Sequence, residues 1–390
     1  MHILILEAVL TGHHGNYLEH TAATFLEQGH RLTVSVRLEH FDNSLFASLK
    51  AAHPGRITIK IIPALMCWDL VLGRLGVVGS ELSHWLMFKR FFKSLNVKDE
   101  VDHVFMPYLD YCLHATALLG SPCGHVNWSG ICMRPSFHYR NSGVIAPKPK
   151  WSSVKERLFY RLLQQQSLHK LLTIDETLEQ NTRKKNPFNA QKLSFVPDPA
   201  KLTDNFGRVS ARHHLGISEE DFVILVYGVI DGRKGVEYLL AGVRNKQFQK
   251  NLKILVMGRH GPEIREKLVS EPLVLSIDCH VDTTTEEAGF RAADVVWIGY
   301  NAHYAMSGVL VLAAFAGKPV LATRDGLIGW MTRQHNLGVT VDCTDPELIF
   351  QAICQLMNDS QAYPNVGMKT IRDRHTWQIF SKSLDASILK

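Results

Sequence analysis

The sequence predicts an α/β protein of two consecutive domains, each built on a parallel sheet with helices on both faces. The 390 residues are too many for one ordinary core and fit two domains. Short apolar runs rich in branched residues alternate with helical patterns, which is typical of strands buried in a parallel sheet. The alternation starts afresh in the second half of the chain. Two similar α/β domains therefore follow one another.

The first domain is predicted over residues 1–205. It opens with a strand, helix, strand unit, HILILEAV, YLEHTAATFLEQG and RLTVSVRL. Further predicted strands are ITIKII, DHVFMPYL, GHVNWSGICM, KLLTID and KLSFVPD. Prolines, glycines and an asparagine interrupt the pattern over 196–221, where we expect the boundary between the domains.

The second domain is predicted over residues 206–370. Its strands and first helix are FVILVYGVI, GVEYLLAGVRN, LKILVMG, LVLSIDCHV, DVVWIGY and KPVLAT. The end of the chain, 371–390, has the pattern of an amphipathic helix with Trp377, Phe380, Leu384 and Ile388 on one stripe. We expect this helix to cross back onto the first domain.

Composition limits the class of protein. A hydrophobic content of 46% and a charged content of 21% are typical of a soluble globular chain. The formal charge of +6 suits an anionic substrate or membrane surface and lacks the clustered basicity of a nucleic-acid binder. The seven cysteines show no CxxC spacing, so we expect a reducing cytoplasmic location and no zinc site. No apolar run is long enough to span a bilayer, and MHILILEAVL lacks the features of a signal peptide.

The loop after the first predicted strand, TGHHGNY at 11–17, contains candidate site residues. Gly12 and Gly15 would let a ligand approach the backbone, and His13 and His14 would add donors or a base. The spacing is GxxG rather than the GxGxxG of dinucleotide-binding folds, so the sequence lacks the main motif that would indicate an oxidoreductase. A tight turn with solvated histidines is the alternative.

A second candidate loop, residues 228–235, follows the first strand of the second domain. Arg233 and Lys234 stand there between glycines, among them Gly228, where a helix begins. Two cations beside unpaired helical N–H groups make a strong phosphate site. A solvated basic turn is the alternative.

The third candidate is the start of the helix predicted after DVVWIGY. Ser307, Gly308 and Val309 are small enough for the backbone N–H groups of that helix to reach a phosphate. A helix start that only fills a core is the alternative.

These motifs resemble the GT-B glycosyltransferases, specifically glycosyltransferase family 4. Gly228, Lys234 and Gly235 match the G-R-x-x-x-x-K-G loop of that family, although Val229 replaces its arginine. AADVVWIGY and AFAGKPVLAT are similar to two further stretches of the family. The resemblance covers nearly the whole second domain and, loosely, the first. It implies a GT-B fold, in which two Rossmann-like parallel-sheet domains face each other across a cleft.

The sequence departs from the family at its acidic motif. The two glutamates of E-x-G-x-x-x-x-x-E fall on Tyr304 and Leu312, and a leucine cannot bond a ribose hydroxyl. Glu287 is kept as a secondary candidate, since the family places this loop near the nucleotide base. Glu286 and Glu287 are also explained as acids in the first turn of a helix.

The resemblance implies transfer of a sugar from a nucleotide-sugar donor, with retention of configuration and without a metal or resident cofactor. The acceptor would be a glycan, a lipid-linked molecule or a small molecule, as in polysaccharide assembly. Arg233, Lys234 and the N–H groups at 307–309 would stabilise the charge that develops on the departing diphosphate. A nucleotide-sugar epimerase, or an inactive scaffold that binds a glycan or a protein, remains an alternative.

Contacts to the acceptor and to a membrane are less defined by the sequence. Arg134 and His138 are candidates for contacting an acceptor, with a structural role as the alternative for each. Residues 83–98 place apolar side chains on one side and cations on the other, which suits a helix lying on an anionic bilayer at the inner face of the plasma membrane. The same pattern suits a helix packed on a sheet.

Overall fold

The computed structural model describes residues 1–10, 13–41, 44–63, 76–95, 100–359, 363 and 366–388. The chain divides into two compact units. Unit 1 consists of 1–142, 148–196 and 378–390, and unit 2 consists of 143–147 and 197–377. Each unit contains its own parallel sheet, which confirms the predicted α/β class with two Rossmann-like domains.

Unit 1 is built on a seven-stranded parallel sheet in the order β3-β2-β1-β4-β5-β6-β7. Its strands are β1 (His2–Leu6), β2 (Arg31–Val36), β3 (Ile57–Ile61), β4 (His103–Met106), β5 (Trp128–Cys132), β6 (Leu168–Thr173) and β7 (Leu193–Phe195). The described helices are α1 (His13–Glu27), α2 (Ser44–Ala52), α3 (Gly76–Ser94), α4 (Leu113–Leu119), α5 (Ser152–Leu163), α6 (Glu176–Lys185) and α7 (Pro187–Ala190).

Burial explains why the first strand is apolar without alternation. Every residue of β1 is buried, and Ile3, Leu4 and Ile5 have no exposed surface. A strand in the middle of a parallel sheet has both faces covered, so both faces of its sequence are hydrophobic.

Unit 2 is built on a six-stranded parallel sheet in the order β10-β9-β8-β11-β12-β13. Its strands are β8 (Phe222–Tyr227), β9 (Leu252–Met257), β10 (Val274–Ile277), β11 (Val295–Ile298), β12 (Val320–Thr323) and β13 (Gly338–Val341). The described helices are α8 (Arg208–Leu215), α9 (Val236–Val243), α10 (Pro262–Val269), α11 (Thr283–Ala292), α12 (Gly308–Ala316), α13 (Gly326–Gln334), α14 (Pro346–Asp359) and α15 (Val366–Arg374).

The edge strand β13 is absent from the sequence prediction. It is only four residues long and partly exposed along its whole length, so it lacks the fully apolar signature of the inner strands. Gly338 begins it with φ +155°, and a Cβ there would lie 2.1 Å from the carbonyl oxygen of Val320. The glycine therefore lets this strand pair closely with β12.

The order of the strands fixes where each sheet can bind a ligand. The chain order reverses between β1 and β4 in unit 1, and between β8 and β11 in unit 2. In open α/β sheets, ligands bind at such reversal points, beyond the carboxyl ends of the strands. The loops after these four strands carry most of the residues selected from the sequence.

The end of the chain forms two helices where the sequence pattern predicts one. A break at His375 and Thr376 separates α15 from α16 (Trp377–Ile388). Within unit 1, Phe380 of α16 packs edge-on against Tyr17 at 5.7 Å, and the Ser387 carbonyl accepts a hydrogen bond of 2.7 Å from Ser129.

Helix α3 contains most of the apolar stripe that also suited a membrane surface. Trp85 and Phe88 are buried in the core of unit 1, and Phe92 packs against the same core. The Trp85 indole donates to the carbonyl of Gly120 at 2.8 Å. The apolar stripe therefore packs on the sheet. Lys98, one of the cations of the segment 83–98, lies outside the described residues. Among the described helices, none is both long and apolar enough to cross a bilayer.

Candidate functional site

The loop after β8 is shaped by glycines and one aspartate. Gly228 has φ +106°, and a Cβ there would lie 3.2 Å from Nζ of Lys234. The Asp231 side chain accepts from the backbone N–H of Arg233 at 3.1 Å and so caps the 3-10 helix Gly232–Lys234. Gly235, with φ +63°, then passes so close to Gly299 that a Cβ would lie 2.2 Å from its carbonyl oxygen. Side chains larger than hydrogen would push this loop apart.

Lys234 is held at the carboxyl ends of β8 and β11. Its ammonium group donates to the carbonyl of Tyr227 at 2.8 Å and to the hydroxyl of Tyr300. The ammonium also lies 4.3 Å from the centroid of the Tyr300 ring, which is a cation–π contact. The residue is only 9% exposed. These contacts fix a largely desolvated cation at the reversal point of the second sheet.

Ser307 reaches the same tyrosine from the other side. Its hydroxyl donates to the Tyr300 hydroxyl at 3.3 Å, and it makes no side-chain capping bond to α12 although it is the N-cap residue. The backbone N–H groups at the start of α12 are therefore not satisfied by their own N-cap side chain. Tyr300 thus brings Lys234 and the N-terminus of α12 together.

Arg233 occupies a different environment from its neighbour Lys234. Its guanidinium binds the Asp231 carboxylate through Nε at 3.0 Å and through Nη2 at 2.8 Å, and its side chain is 64% exposed. The carbonyl of Arg233 accepts from the N–H of Asn301 at 2.8 Å, which ties this loop to the one after β11.

Glu287 is engaged by the segment before α8. Both carboxylate oxygens accept hydrogen bonds, from the side chain of Thr203, from both nitrogens of Asn205 and from the N–H of Phe206. These bonds lower the pKa of Glu287. The side chain has no exposed surface, so in this structure its role is to anchor residues 203–206.

Glu286 lies beside Tyr227, at the end of β8. Burial raises the pKa of Glu286, and burial together with the charge of Glu286 raises the pKa of Tyr227. The sequence analysis kept Glu287 as the candidate of this pair. In the structure it is Glu286 that lies next to the Lys234 loop with a raised pKa.

The positions of the two missing family glutamates are occupied by ordinary packing residues. The Tyr304 carbonyl accepts from the N–H of Leu327 at 3.0 Å. Gly326, with φ +67°, packs so tightly there that a Cβ would lie 2.5 Å from the Tyr304 Cα. Leu312 is half-buried on α12. Neither side chain can accept a hydrogen bond as a carboxylate would.

In unit 1, the loop after β1 holds an acidic residue that the sequence analysis missed. Glu7 is 2% exposed, and its Oε1 accepts from the N–H groups of Ala8 at 2.9 Å and Val9 at 3.0 Å. Its Oε2 lies 3.8 Å from Nδ1 of His14, and both of these buried atoms lack a hydrogen-bond partner in the described structure. A charged residue directly after the four apolar residues 3–6 is the sequence signal that could have revealed Glu7.

His14 also belongs to a stack of rings across the reversal point of the first sheet. Its Nε2 lies 3.1 Å from the Tyr111 hydroxyl, and His84 stacks on the Tyr111 ring at 4.8 Å. Tyr108 packs against His14 at 4.1 Å between ring centroids. Residues 13–17 belong to α1 and not to the predicted loop, and Gly15 lies in the first turn of this helix, where a Cβ would lie 3.0 Å from the Leu10 carbonyl oxygen.

Two other candidates of this loop are not placed. Gly12 lies outside the described residues, and for His13 only the backbone, at the start of α1, is described.

Arg134 lies next to this stack. Its guanidinium lies over the Tyr108 ring at 5.2 Å, and its backbone N–H donates to the half-buried Asp110 at 2.9 Å. Burial, and next the charge of Asp110, raise the pKa of Tyr108 to about 12. Arg134 is therefore near enough to contribute to a site built on these rings.

His138, by contrast, has a structural environment. It has no exposed surface, and its Nε2 lies 3.0 Å from both Asp175 Oδ2 and Thr177 Oγ1. Asp175 is the N-cap of α6. His138 thus supports the start of that helix and cannot touch an acceptor in this structure.

The two Rossmann-like sheets define a GT-B fold, and comparison with known proteins agrees. Sucrose-phosphate synthase from Thermosynechococcus elongatus aligns with 99% of this chain and 98% of its own, with a TM-score of 0.71 and 14% identity. HepE from Anabaena, solved in complex with UDP-glucose, aligns with 100% of this chain and 99% of its own, with a TM-score of 0.63 and 14% identity. At these identities the likeness establishes the fold.

Sequence comparison identifies the second unit more closely. Residues 221–359 match the family described as "Glycosyl transferases group 1". The D-inositol 3-phosphate glycosyltransferase of Corynebacterium efficiens is 26% identical over 176 residues, which are 41% of this chain and 40% of that protein. The match thus spans about two fifths of the length of that relative. The resemblance to GT-B glycosyltransferases is confirmed, and these matches are consistent with the family 4 type.

Proposed function

We propose that this chain is a glycosyltransferase that moves a sugar from a nucleotide-sugar donor to a glycan, lipid-linked or small-molecule acceptor, with retention of configuration. The observation that carries the proposal is the contact of Lys234 and Ser307 with the one hydroxyl of Tyr300. It joins a desolvated cation to a helix N-terminus whose N–H groups suit a phosphate. The family match of residues 221–359 supports it, because it includes all three residues.

The proposed mechanism stabilises the leaving group. As the bond from the sugar to the diphosphate breaks, negative charge grows on the departing oxygen. Lys234 and the N–H groups of Gly308 and Val309 would bind that charge more strongly as it grows, which lowers the barrier. Positive charge is supplied by these groups, so the proposal invokes no metal. That HepE was solved with UDP-glucose supports a nucleotide-sugar as the donor class.

The proposal narrows the set of residues selected from the sequence. Lys234, Gly228, Ser307, Gly308 and Val309 form the donor site. Arg233 is left out because Asp231 holds it, and Glu287 because its oxygens are already bonded.

In unit 1 we propose that the acceptor binds at the rings around His14, with Gly15 allowing close approach, and that Gly12 and His13 contribute to the same site. Assembly of a polysaccharide or glycoconjugate in the cytoplasm suits such an acceptor, and the free thiols of the six described cysteines agree with a reducing compartment. A membrane contact through residues 83–98 is not part of the proposal, since the apolar side chains of α3 lie in the core.

The test is a thermal-shift screen of the wild-type protein against UDP-, GDP-, ADP- and TDP-sugars, followed by an assay for transfer. Lys234→Ala should abolish stabilisation by the donor, and Arg233→Ala, its matched control, should retain it. A wild-type protein that responds to no nucleotide-sugar would contradict the proposal and favour an inactive scaffold. Turnover of the donor to a second nucleotide-sugar without an acceptor would instead indicate an epimerase.

A further inference from the structure

A cavity in unit 2 lies away from the Lys234 site, beside the residues that precede β11 and β12. Its volume is about 380 Å³, which lies in the range of small-molecule sites. Its charged lining residues are Arg208, Arg291, Lys318, Arg372 and a single acid, Asp294. The lining residues thus carry a net positive charge, although Arg208 also pairs with Glu219 at 2.9 Å.

Asp294, the one carboxylate among the lining residues, is already bonded to neighbouring groups. Asp294 Oδ2 accepts from the fully buried Arg212 at 2.7 Å and from the N–H of Val223 at 2.8 Å. Its Oδ1 lies 3.4 Å from Nη2 of Arg208. Asp294 is therefore bonded to Arg212 and Arg208, and it makes no ion pair with Arg291, Lys318 or Arg372.

Two of the remaining cations have hydrogen-bonding capacity left. The side chain of Arg372 makes no hydrogen bond or ion pair with any residue that the structure describes. Arg291 uses its Nη2 for Asp204 at 2.8 Å, an acid whose side chain is 90% exposed, and for the Thr203 carbonyl at 3.3 Å, while its Nη1 makes no hydrogen bond with any described residue. Unsatisfied guanidinium groups in a cavity suit an anion that accepts several hydrogen bonds.

Lys318 forms the floor of the cavity at the end of α12. Gly317, with φ +68°, ends that helix, and the N–H of Lys318 donates to the Ala313 carbonyl at 2.9 Å. The ammonium group donates to the carbonyl of Arg291 at 3.1 Å. Phe315 and Pro319 add an apolar wall. The cavity therefore offers cations to an anionic group and a nonpolar surface to the carbon part of a ligand.

We propose that this cavity binds a phosphorylated small molecule of sugar-phosphate size, at a site separate from the donor site at Lys234. The phosphate would accept hydrogen bonds from Lys318, Arg291 and Arg372, and the sugar ring would lie against Phe315. The alternative is that these cations only satisfy the last carbonyl groups of α11, as Lys318 and Arg212 do at Arg291 and Ala292.

The protonation state of Lys318 should make binding at this cavity depend on pH. Burial, followed by the surrounding charges, lowers the pKa of Lys318 to about 8; Arg208, Arg212 and Arg291 act in that direction and Asp294 opposes them. About half of the protein therefore carries a neutral Lys318 at pH 8. A bound dianion favours the charged form, so binding at pH 8 should take up about half a proton. The affinity should then fall as the pH rises above 8.

The experiment is isothermal titration calorimetry of glucose 6-phosphate into the full chain. We expect one site, with affinity lowered about tenfold or more in Lys318→Gln and in Arg372→Gln. The side chain of Arg372 makes no hydrogen bond or ion pair with the described residues, so Arg372→Gln should fold even if Lys318→Gln does not. Lys234→Ala is the control, and its affinity for glucose 6-phosphate should match that of the wild type.

Further outcomes decide between supporting and overturning the proposal. At pH 8, the binding enthalpy of the wild type should differ between Tris and HEPES, and that difference should vanish in Lys318→Gln. No binding of glucose 6-phosphate at millimolar concentration would overturn the proposal. So would binding that Lys234→Ala abolishes, or binding only to phosphatidylglycerol vesicles, which would indicate a lipid headgroup.

Discussion

Lys234 and Tyr300 contact each other in two ways. The ammonium group of Lys234 donates a hydrogen bond to the tyrosine hydroxyl and lies 4.3 Å from the centroid of its ring. The hydroxyl also accepts from Ser307 at the start of α12. The position of the proposed phosphate-binding cation therefore depends on a tyrosine at the end of the neighbouring strand.

Removing only that hydroxyl should weaken binding of the diphosphate. Tyr300→Phe keeps the ring under the ammonium group but loses the hydrogen bonds to Lys234 and Ser307. Loss of a hydrogen bond to a charged group costs about 1.5 kcal/mol, so we expect the affinity for UDP to fall about tenfold. Calorimetry with UDP measures this. Tyr238→Phe, a partly buried tyrosine packed against the core of the same unit, is the control; equal affinities of the two variants would refute the role of Tyr300.

A side chain at position 228 should lower the stability of the protein and disturb Lys234. Gly228→Ala adds a Cβ at φ +106°, 3.2 Å from Nζ of Lys234, whereas Gly232→Ala adds a Cβ with no heavy atom within 4 Å. We expect Gly228→Ala to lower the free energy of unfolding by about 1–3 kcal/mol and to displace Lys234. Urea unfolding and UDP titration of both variants test this. A Gly228→Ala protein that binds UDP as well as Gly232→Ala would contradict the expected displacement.

Glu7 should affect the acceptor side of the reaction and not the donor side. Glu7→Gln keeps the shape of the side chain and removes the charge that faces Nδ1 of His14 at 3.8 Å. We expect turnover to fall about tenfold or more, with unchanged affinity for UDP, because the His14 ring loses the carboxylate that orients it. Steady-state kinetics with varied acceptor measure the effect. Glu19→Gln, on the exposed face of α1, is the control; a loss of UDP affinity in Glu7→Gln would argue against this division of roles.

Acid should destabilise unit 1 through His103. Burial, and next the charge of His169, lower the pKa of His103 to about 4. Between that pH and the ordinary value of about 6.5, the unfolded chain binds a proton that the folded chain does not, so stability falls as the pH falls. The slope due to His103 is at most about 1.4 kcal/mol per pH unit.

Urea denaturation at several pH values between 4 and 6.5 tests this expectation. His103→Gln should show a shallower loss of unfolding free energy over this range than the wild type. His213→Gln, an exposed histidine of α8, should leave the slope as it is. Identical slopes in all three proteins would exclude His103 as a source of acid sensitivity.

Much of the fold could be predicted from the sequence because the inner strands have a strong local signal. Strand β8 and, after His2, strand β1 consist of hydrophobic residues, and each is followed by a glycine-containing loop. The edge strand β13 lacks that signal, since its residues are only partly buried. The break between α15 and α16 was missed because it depends on bonds to distant residues, such as that of His375 Nδ1 to the Asp198 carbonyl at 2.9 Å.

The candidate site was less predictable because a sequence motif does not show in which direction each side chain points. Arg233 and Lys234 are neighbours, yet the exposed Arg233 binds Asp231 and the buried Lys234 lies over the ring of Tyr300. An aspartate two residues before Arg233, at a position that caps a helix, is a local clue to this difference. The partnership of Tyr300 with Lys234 has no such clue, since 66 residues separate them and only the pairing of β8 with β11 brings them together.

The contacts of Lys234 also limit the kind of ligand that the site can accept. An ammonium group has three N–H bonds, and the Tyr227 carbonyl and the Tyr300 hydroxyl take two of them. The Tyr300 oxygen in turn accepts from Lys234 and Ser307, so its own hydrogen points elsewhere. What remains is one N–H and one O–H, which are both hydrogen donors. This part of the site therefore offers two hydrogen donors to an atom with lone pairs, such as a phosphate oxygen, and only the oxygen of the Ser307 hydroxyl to a ligand group that brings its own hydrogen.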